Sequence, residues 1–585
     1  MKKKLKRRTF LKITAASSLA VNFISCEGSQ EDDNKRKVVN YNISQDVQTT
    51  RVHTLSEVNY TPDPNIKVTD VKGLLESEYG RLEKSEGEEH LLDKSLLAEP
   101  DNYSLPSSRK SLLFFAQISD IHLTDVQSPM RAVYGFVSGN GSAYRPYSIY
   151  STHVLNSMIQ TINAIHKKEK LDFLAVTGDM IDNAEGVELE WFNTILNGGV
   201  VRAVTGKDDY DPVAGGGNDF TDPYFADGLA GDLPWYATIG NHDILNVGVF
   251  YITDEKADAY VSDKLTTLDF FGCDVYTGTQ DASTEYGDVQ CGFEENVATG
   301  AFVPVATESC NSSEFARCDN PEVIPDKRRA PFRNHGEIIE DIKSDNEFNK
   351  NNDDEQKGYY SISLENVPIE LIFLDLSASK EHFFVNGEFK PNSTRTNALL
   401  GEKQFNWLKD KLDSLKEESK GAIIFQHQPT GSFQKESEIS PEEYIDLLQN
   451  YEDVLCVIAG HTHKNKILKH KAEGEGKFSF VEVVTCGLLD FPEQSRLFEF
   501  VYNDNGTVSL FTTMLNHAST EGSLSYNARR LSLAFTQLEK GGYGGDGSGT
   551  KKDRNTEIVL PISDKFKEKL ENLNVNADYV KSLKV

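Results

Sequence analysis

The stretch Trp235-Tyr236-Ala237-Thr238-Ile239-Gly240-Asn241-His242-Asp243 begins as an apolar run and ends in polar chemistry. Residues 235–239 read as a buried strand. Gly240 stops it, and an amide, an imidazole and a carboxylate follow in succession. Loops leaving the carboxyl ends of strands are where α/β folds place their chemistry, because rigid sheet fixes the loop residues. Four other segments repeat the design. The run 114–119 delivers Asp120 and His122, and the run 173–177 delivers Gly178 and Asp179. The run 422–425 delivers His427, and 454–459 delivers Gly460, His461 and His463.

Asp, His and Asn offer oxygen and imidazole donors, which suit Zn, Mn or Fe and are poor for soft copper sites. Asp120, His122, Asp179, Asn241, His427, His461 and His463 are too many for one catalytic ion, which takes three or four protein ligands and keeps a position open. Two divalent ions sharing one bridging carboxylate would use them all. Such ions, about 3.5–4 Å apart, clamp a phosphoryl group and acidify a water between them.

In that order, Asp120-x-His122, Gly178-Asp179, Gly240-Asn241-His242-Asp243, His427 and Gly460-His461-x-His463 resemble the calcineurin-like metallophosphoesterases. The resemblance runs from about 112 to 515, interrupted by long insertions. It implies an α/β fold, a four-layer α/β/β/α sandwich of two mixed sheets packed face to face with helices outside. It also implies that Asp120, His122, Asp179 and His463 hold one metal. Asp179 would bridge, and Asn241, His427 and His461 would complete the second position. His242 would protonate the leaving group of a phosphate ester, with Asp243 positioning its ring. Monoester and diester substrates are both compatible with this pattern. A second class of reading is a surface ligand-binding lipoprotein in which the metals are structural.

Across 585 residues, 61 Lys and Arg face 91 Asp and Glu, a net charge of −30. Residues 1–25 hold seven basic and no acidic residues, which leaves −37 for the remainder. A field of that sign repels polyanions and argues against duplex nucleic acid as a partner. A small phosphate ester, whose charge meets cations locally, stays compatible.

Residues 1–25 read as an export signal. Arg7-Arg8-Thr9-Phe10-Leu11-Lys12 resembles a twin-arginine motif, with Lys6 where Ser or Thr is common. Phe23-Ile24-Ser25-Cys26 resembles a lipoprotein cleavage site, with Cys26 as the lipidated residue and Phe23 in place of the usual Leu. The expected location is the cell envelope, with a membrane anchor through that lipid. The acidic run 29–33 resembles the surface-export tag of some Gram-negative lipoproteins and reads equally as a solvated linker. Long inserts between motifs together with a twin-arginine signal resemble one small bacterial metallophosphoesterase group.

The remaining organisation follows from patterning. Residues 26–110 read as tether and arm, with a helix near 71–83. The catalytic domain is expected over 111–516, with inserts at about 198–232 and 244–358, and a helical extension over 517–585. Val154, Leu155, Met158, Ile159, Ile162 and Ile165 recur at helical spacing and predict a core-facing helix. The loop 123–147 leaves the first metal motif directly and is a candidate substrate wall. Strands at 478–485 and 497–502 are assigned to the second sheet. Asp182 and Asn183 stand near the metal pair without being counted as ligands. Cys273, Cys291, Cys310 and Cys318 lie in the larger insert, where an exported protein can oxidise them. Cys456 and Cys486 read as buried thiols. The basic island Lys327-Arg328-Arg329 makes Arg328 and Arg329 possible substrate contacts, against the alternative of internal ion pairs.

Overall fold

In the computed structural model, alternate residues of the strand Ile369–Phe373 enter two different apolar cores. Ile369, Leu371 and Phe373 join one core, and Ile372, with Leu374 just beyond, joins another under the helices Glu402–Glu417 and Pro441–Leu448. Gly421–Phe425 divides in the same way, with Ile423 and Phe425 on one side and Ala422 and Ile424 on the other. Successive side chains of a strand point to opposite faces, so a strand that is apolar throughout requires cover on both.

The structure describes residues 38–66, 71–130, 145–206, 220, 222–262, 264–265, 290–296, 301–307, 318–319, 324–342, 358–472, 474–538, 546–573 and 579–585. Among them, a mixed six-stranded sheet has the order Tyr360–Ser363, Ile369–Phe373, Gly421–Phe425, Val454–Ala459, Phe480–Val484, Lys466–His470. A mixed seven-stranded sheet has the order Leu91–Asp93, Thr556–Leu560, Val508–Asn516, Gln494–Asn503, Arg109–Ile118, Leu174–Thr177, Trp235–Thr238. An aromatic seam joins the two sheets. Phe115 stacks on Phe173 at 4.4 Å and on Phe498 at 5.1 Å, and meets Phe425 edge-on at 5.8 Å. Phe425 in turn stacks on Phe373 at 4.6 Å. Such pairs add about 0.5–1.5 kcal/mol each beyond their buried area.

Helices Ser151–Lys168, Gly186–Asn197 and Leu524–Leu538 pack together and bury their apolar faces in the core of the seven-stranded sheet. The predicted stripe is the buried side of the first of them, as Val154, Leu155, Met158, Ile159, Ile162 and Ile165 are all covered. With the two helices on the other sheet, these elements make the four expected layers.

Three placements depart from the expectation. The strand Gln494–Asn503 lies in the first sheet, antiparallel to Arg109–Ile118, because Phe498 and Phe500 pair with Phe115 and Leu113 there. The region 517–585 is not helical throughout, since Thr556–Leu560 inserts between Val508–Asn516 and Leu91–Asp93. The arm likewise contributes Leu91–Asp93 to the sheet edge, and its helix is short, Val71–Glu76. In both sheets the central parallel strands end on the same edge, and Asp120, Asp179, Asn241, His427 and His461 follow those ends.

Candidate metal centre

Five of the seven candidate ligands hold left-handed backbone: Asp120 (φ 50°), His122 (φ 46°), Asp179 (φ 49°), His461 (φ 68°) and His463 (φ 53°). Each such residue costs on the order of 1–3 kcal/mol and persists only where its surroundings over-determine it. The surroundings do so. The backbone N–H of Asp120 donates to Gly178 O (3.1 Å), and those of Ile121 and His122 to Asp179 O (2.8 and 3.0 Å). The His461 N–H donates to the Asp120 carboxylate at 2.9–3.0 Å, and the His242 N–H to Asp179 Oδ1 at 2.8 Å. Strand ends from both sheets are thus tied through the ligands themselves. At Gly460 an added Cβ would lie 1.8 Å from Ser119 Oγ and 2.4 Å from Asp120 Oδ2, so only glycine lets the two loops meet.

Three donor groups result: Asp120 with His122 and His463, Asp179 with His427 and His461, and His122 with Asp182 and His242 at the rim. Within each group the ligand atoms lie within 4.8 Å of one another. His122 Nε2 and His463 Nε2 converge to 3.0 Å, with Asp120 Oδ1 3.3 Å from the latter. Asp179 Oδ2 stands between the first two groups, 3.7 Å from His122 Nε2 and 3.0 Å from His427 Nε2. Asn241 Oδ1 lies 3.2 Å from His427 Nε2, while its Nδ2 donates to Gly248 O. Asn241 therefore turns its oxygen inward, as a hard cation requires. The seven candidate residues lie together here, and a donor set of this chemistry fits two divalent ions.

The imidazoles are oriented from behind. His427 Nδ1 donates to Thr177 O at 2.7 Å, which leaves Nε2 for the centre. His122 Nδ1 faces Asp182 Oδ1 at 3.0 Å, and His463 Nδ1 faces Asp490 Oδ2 at 2.5 Å. Such partners fix the tautomer and raise ligand basicity.

Burial alone would raise the Asp120 carboxyl, yet the imidazoles of His463 and His427 hold it down at about 2. Burial would lower His427 and His463, but Asp179 and Asp120 respectively raise them to about 9 and about 10. His461 falls to about 3 through burial and the His427 charge, and His122 to about 4 through burial and His242. Without metal, the two carboxylates and the His427 and His463 imidazoles thus stabilise one another's charged forms. Cations entering the site would displace those protons.

One expectation fails. Asp243 does not position the His242 ring. Its buried carboxylate accepts the N–H groups of Gly240 (2.7 Å), Met180 (2.8 Å), Asp179 (3.0 Å) and Ile181 (3.2 Å), so it shapes the Asp179 turn instead. Burial and the adjacent Asp179 push it up to about 7. His242 Nδ1 donates to Asp182 O at 2.6 Å, with Asp182 Oδ1 at 3.5 Å. For the basic island, the alternative of internal ion pairs holds at Arg329, which is not presented to substrate. Arg329 is 0% exposed, its guanidinium held by Asp125 Oδ2 (3.0 Å), Thr205 and Ile324 O. Arg328 pairs with Asp326 at 2.7 Å. Arg329 is thus paired in the interior, whereas the Arg328 pair lies at the surface.

Asp182 and Asp490 are the functional residues that the sequence reading undervalued or missed. The spacing Gly178-Asp179-x-x-Asp182 was a local signal for the first, whereas Asp490 arrives from 27 residues beyond His463 with none. Asn183 serves the scaffold, its Oδ1 accepting from Val247 N at 2.8 Å and Asn246 Nδ2 at 3.0 Å. Cys456 and Cys486 are buried free thiols, as expected. Arg7, Arg8, Cys26, residues 131–144 of the candidate wall, Cys273, Cys310 and the side chains of Cys291 and Cys318 lie outside the described residues.

Residues 115–293 match the family described as calcineurin-like phosphoesterase. That match and the site geometry together give a phosphoesterase-like segment that contributes to a candidate dimetal centre. His427, His461 and His463 fall beyond the matched segment, and it is the folded geometry that brings them to Asp120 and Asp179. No curated protein matches the chain. Among solved structures it is similar to a dimetal phosphatase from Danio rerio, at 11% identity, covering 70% of this chain and 99% of that one, with a TM-score of 0.32. It is also similar to GAP50, the anchor in the inner membrane complex of Plasmodium, at 13% identity, 75% and 97% coverage and a TM-score of 0.27. Both likenesses are too distant to bear on the assignment.

Proposed function

We propose that this protein hydrolyses a small phosphate ester with two bound divalent ions drawn from Mn, Fe or Zn. The observation that carries the proposal is the position of Asp179 Oδ2 between two separate His/Asp donor groups, beside a histidine that is not a ligand. When bound, two such ions would neutralise phosphoryl oxygens and acidify a water. The chain's own part is to hold them apart on Asp179, to keep Asn241 and the imidazoles aimed inward, and to place His242 at the rim. There the side chain is 16% exposed and Asp182 steadies Nδ1. A proton on Nε2 would then be available to a departing alcohol.

The strongly acidic chain supports a small substrate over a nucleic acid, because a net charge of −30 repels polyanions while cations in the metal centre would meet a small phosphate locally. Turnover of p-nitrophenyl phosphate and of its bis-ester, with and without Mn²⁺, tests the reading. Metal-dependent release from one of them is expected. Full metal content without turnover of either would make the protein a binder.

The same reading places the protein in the cell envelope, exported by Arg7 and Arg8 and anchored through a lipid on Cys26. No helix among the described residues is long and apolar enough to cross a membrane. Mass spectrometry of the mature N-terminus decides this point, since a Cys26 without acyl chains would remove the anchor.

A further inference from the structure

The two metal positions differ in what stands behind their histidines. In the second, His427 donates to a neutral backbone carbonyl, Thr177 O. In the first, both histidines are backed by carboxylates, His122 by Asp182 and His463 by Asp490. Asp490 is 1% exposed and both of its oxygens are committed. Oδ1 accepts from Arg145 Nε (2.6 Å) and Tyr147 Oη (2.5 Å), and Oδ2 from Arg145 Nη2 (2.9 Å) and His463 Nδ1 (2.5 Å). With two donors on each oxygen, the carboxylate has no room to bind a cation itself. The bidentate guanidinium fixes its plane, Arg145, Tyr147 and Asp490 are buried, and this fixed carboxylate orients the His463 ring, which is 16% exposed, from behind.

We propose that Asp490, held by Arg145 and Tyr147, is the positioning residue for His463, and that it makes the Asp120/His122/His463 position the tighter and first-filled of the two. This rests on the dinuclear reading of the site. An imidazole whose Nδ1–H faces a carboxylate is a stronger donor through Nε2 than one facing an amide carbonyl, and loss of such a partner costs about 10–100-fold in metal affinity. Replacing Asp490 by Asn removes that charge. It also offers an amide N–H to His463 Nδ1, which favours the tautomer whose Nε2 carries hydrogen and cannot ligate.

The test is calorimetric titration of metal-stripped full-length protein with Mn²⁺ alone, with elemental analysis of the loaded forms. Wild type is expected to take up two ions in two steps. Asp490→Asn should weaken the tighter step about 10–100-fold and leave the looser one in place. Tyr147→Phe, which removes one hydrogen bond from the same oxygen, should weaken the tighter step by less. His427→Ala should abolish the looser step and spare the tighter. If Asp490→Asn does not fold, Tyr147→Phe decides alone. An unchanged tighter step in the folded variants, or its loss in His427→Ala, overturns the proposal while leaving the two-metal reading standing. Wild-type uptake of fewer than two ions sinks the two-metal reading itself.

Discussion

Replacement of Asp179 by Asn is expected to strip the centre of metal while leaving the fold intact. Asp179 Oδ1 accepts the His242 N–H, a task that the amide oxygen of asparagine can also perform. Its Oδ2 is the atom placed between His122 and His427, and there charge matters. Two divalent cations at about 3.5–4 Å repel strongly, and a shared carboxylate offsets that repulsion where a neutral amide cannot. Elemental analysis should therefore fall from about two ions per chain to less than one. The loss of activity should exceed the roughly 10–100-fold that removal of an outer partner such as Asp490 costs. An Asp179→Asn protein that keeps both ions would show that the bridge lies elsewhere.

The ligand set was legible because each member sits immediately after an apolar run, and an apolar run is a strand whatever its neighbours do. Gly460-His461-x-His463 illustrates the point: Val454–Ala459 is buried at every position, and the motif begins at the next residue. What escaped the sequence depends on contacts between distant segments. Asp243 is adjacent to His242, and adjacency suggested a shared hydrogen bond. The turn instead points the carboxylate back at Asp179 and Met180, 64 and 63 residues earlier. For Arg329 the sequence left open substrate contact or an internal ion pair, and it is Asp125, 204 residues away, that takes it fully inside. Sheet assignment failed for the same reason. Gln494–Asn503 follows Phe480–Val484 closely in the chain but pairs with Arg109–Ile118, and only the stacking of Phe498 on Phe115 decides between the sheets.

Substitution of His242 by Ala is expected to separate chemistry from binding. The ring belongs to neither the Asp120/His122/His463 nor the Asp179/His427/His461 group, although a nitrogen of it lies within 4.8 Å of ligand atoms of His122 and Asp182. Its N–H anchors to Asp179, its Nδ1 donates to Asp182 O, and its centroid lies 4.4 Å from that of His122. Gly248 leaves the other nitrogen uncovered, since a Cβ there would lie 2.3 Å from His242 Nε2, on a backbone (φ +68°) that L side chains rarely adopt. An imidazole tethered at Nδ1, with no side chain from position 248 over Nε2, suits the proposed delivery of a proton at one point. His242→Ala should therefore retain both ions and its thermal stability, while kcat falls roughly 10²–10⁴-fold on esters with poor leaving groups. On p-nitrophenyl esters the loss should be far smaller, because nitrophenolate departs with little protonation. The measurement is kcat for wild type and variant across alcohols and phenols of rising pKa, where the variant's plot should be the steeper. Parallel plots would remove the acid role from His242 and leave it to orient the phosphate.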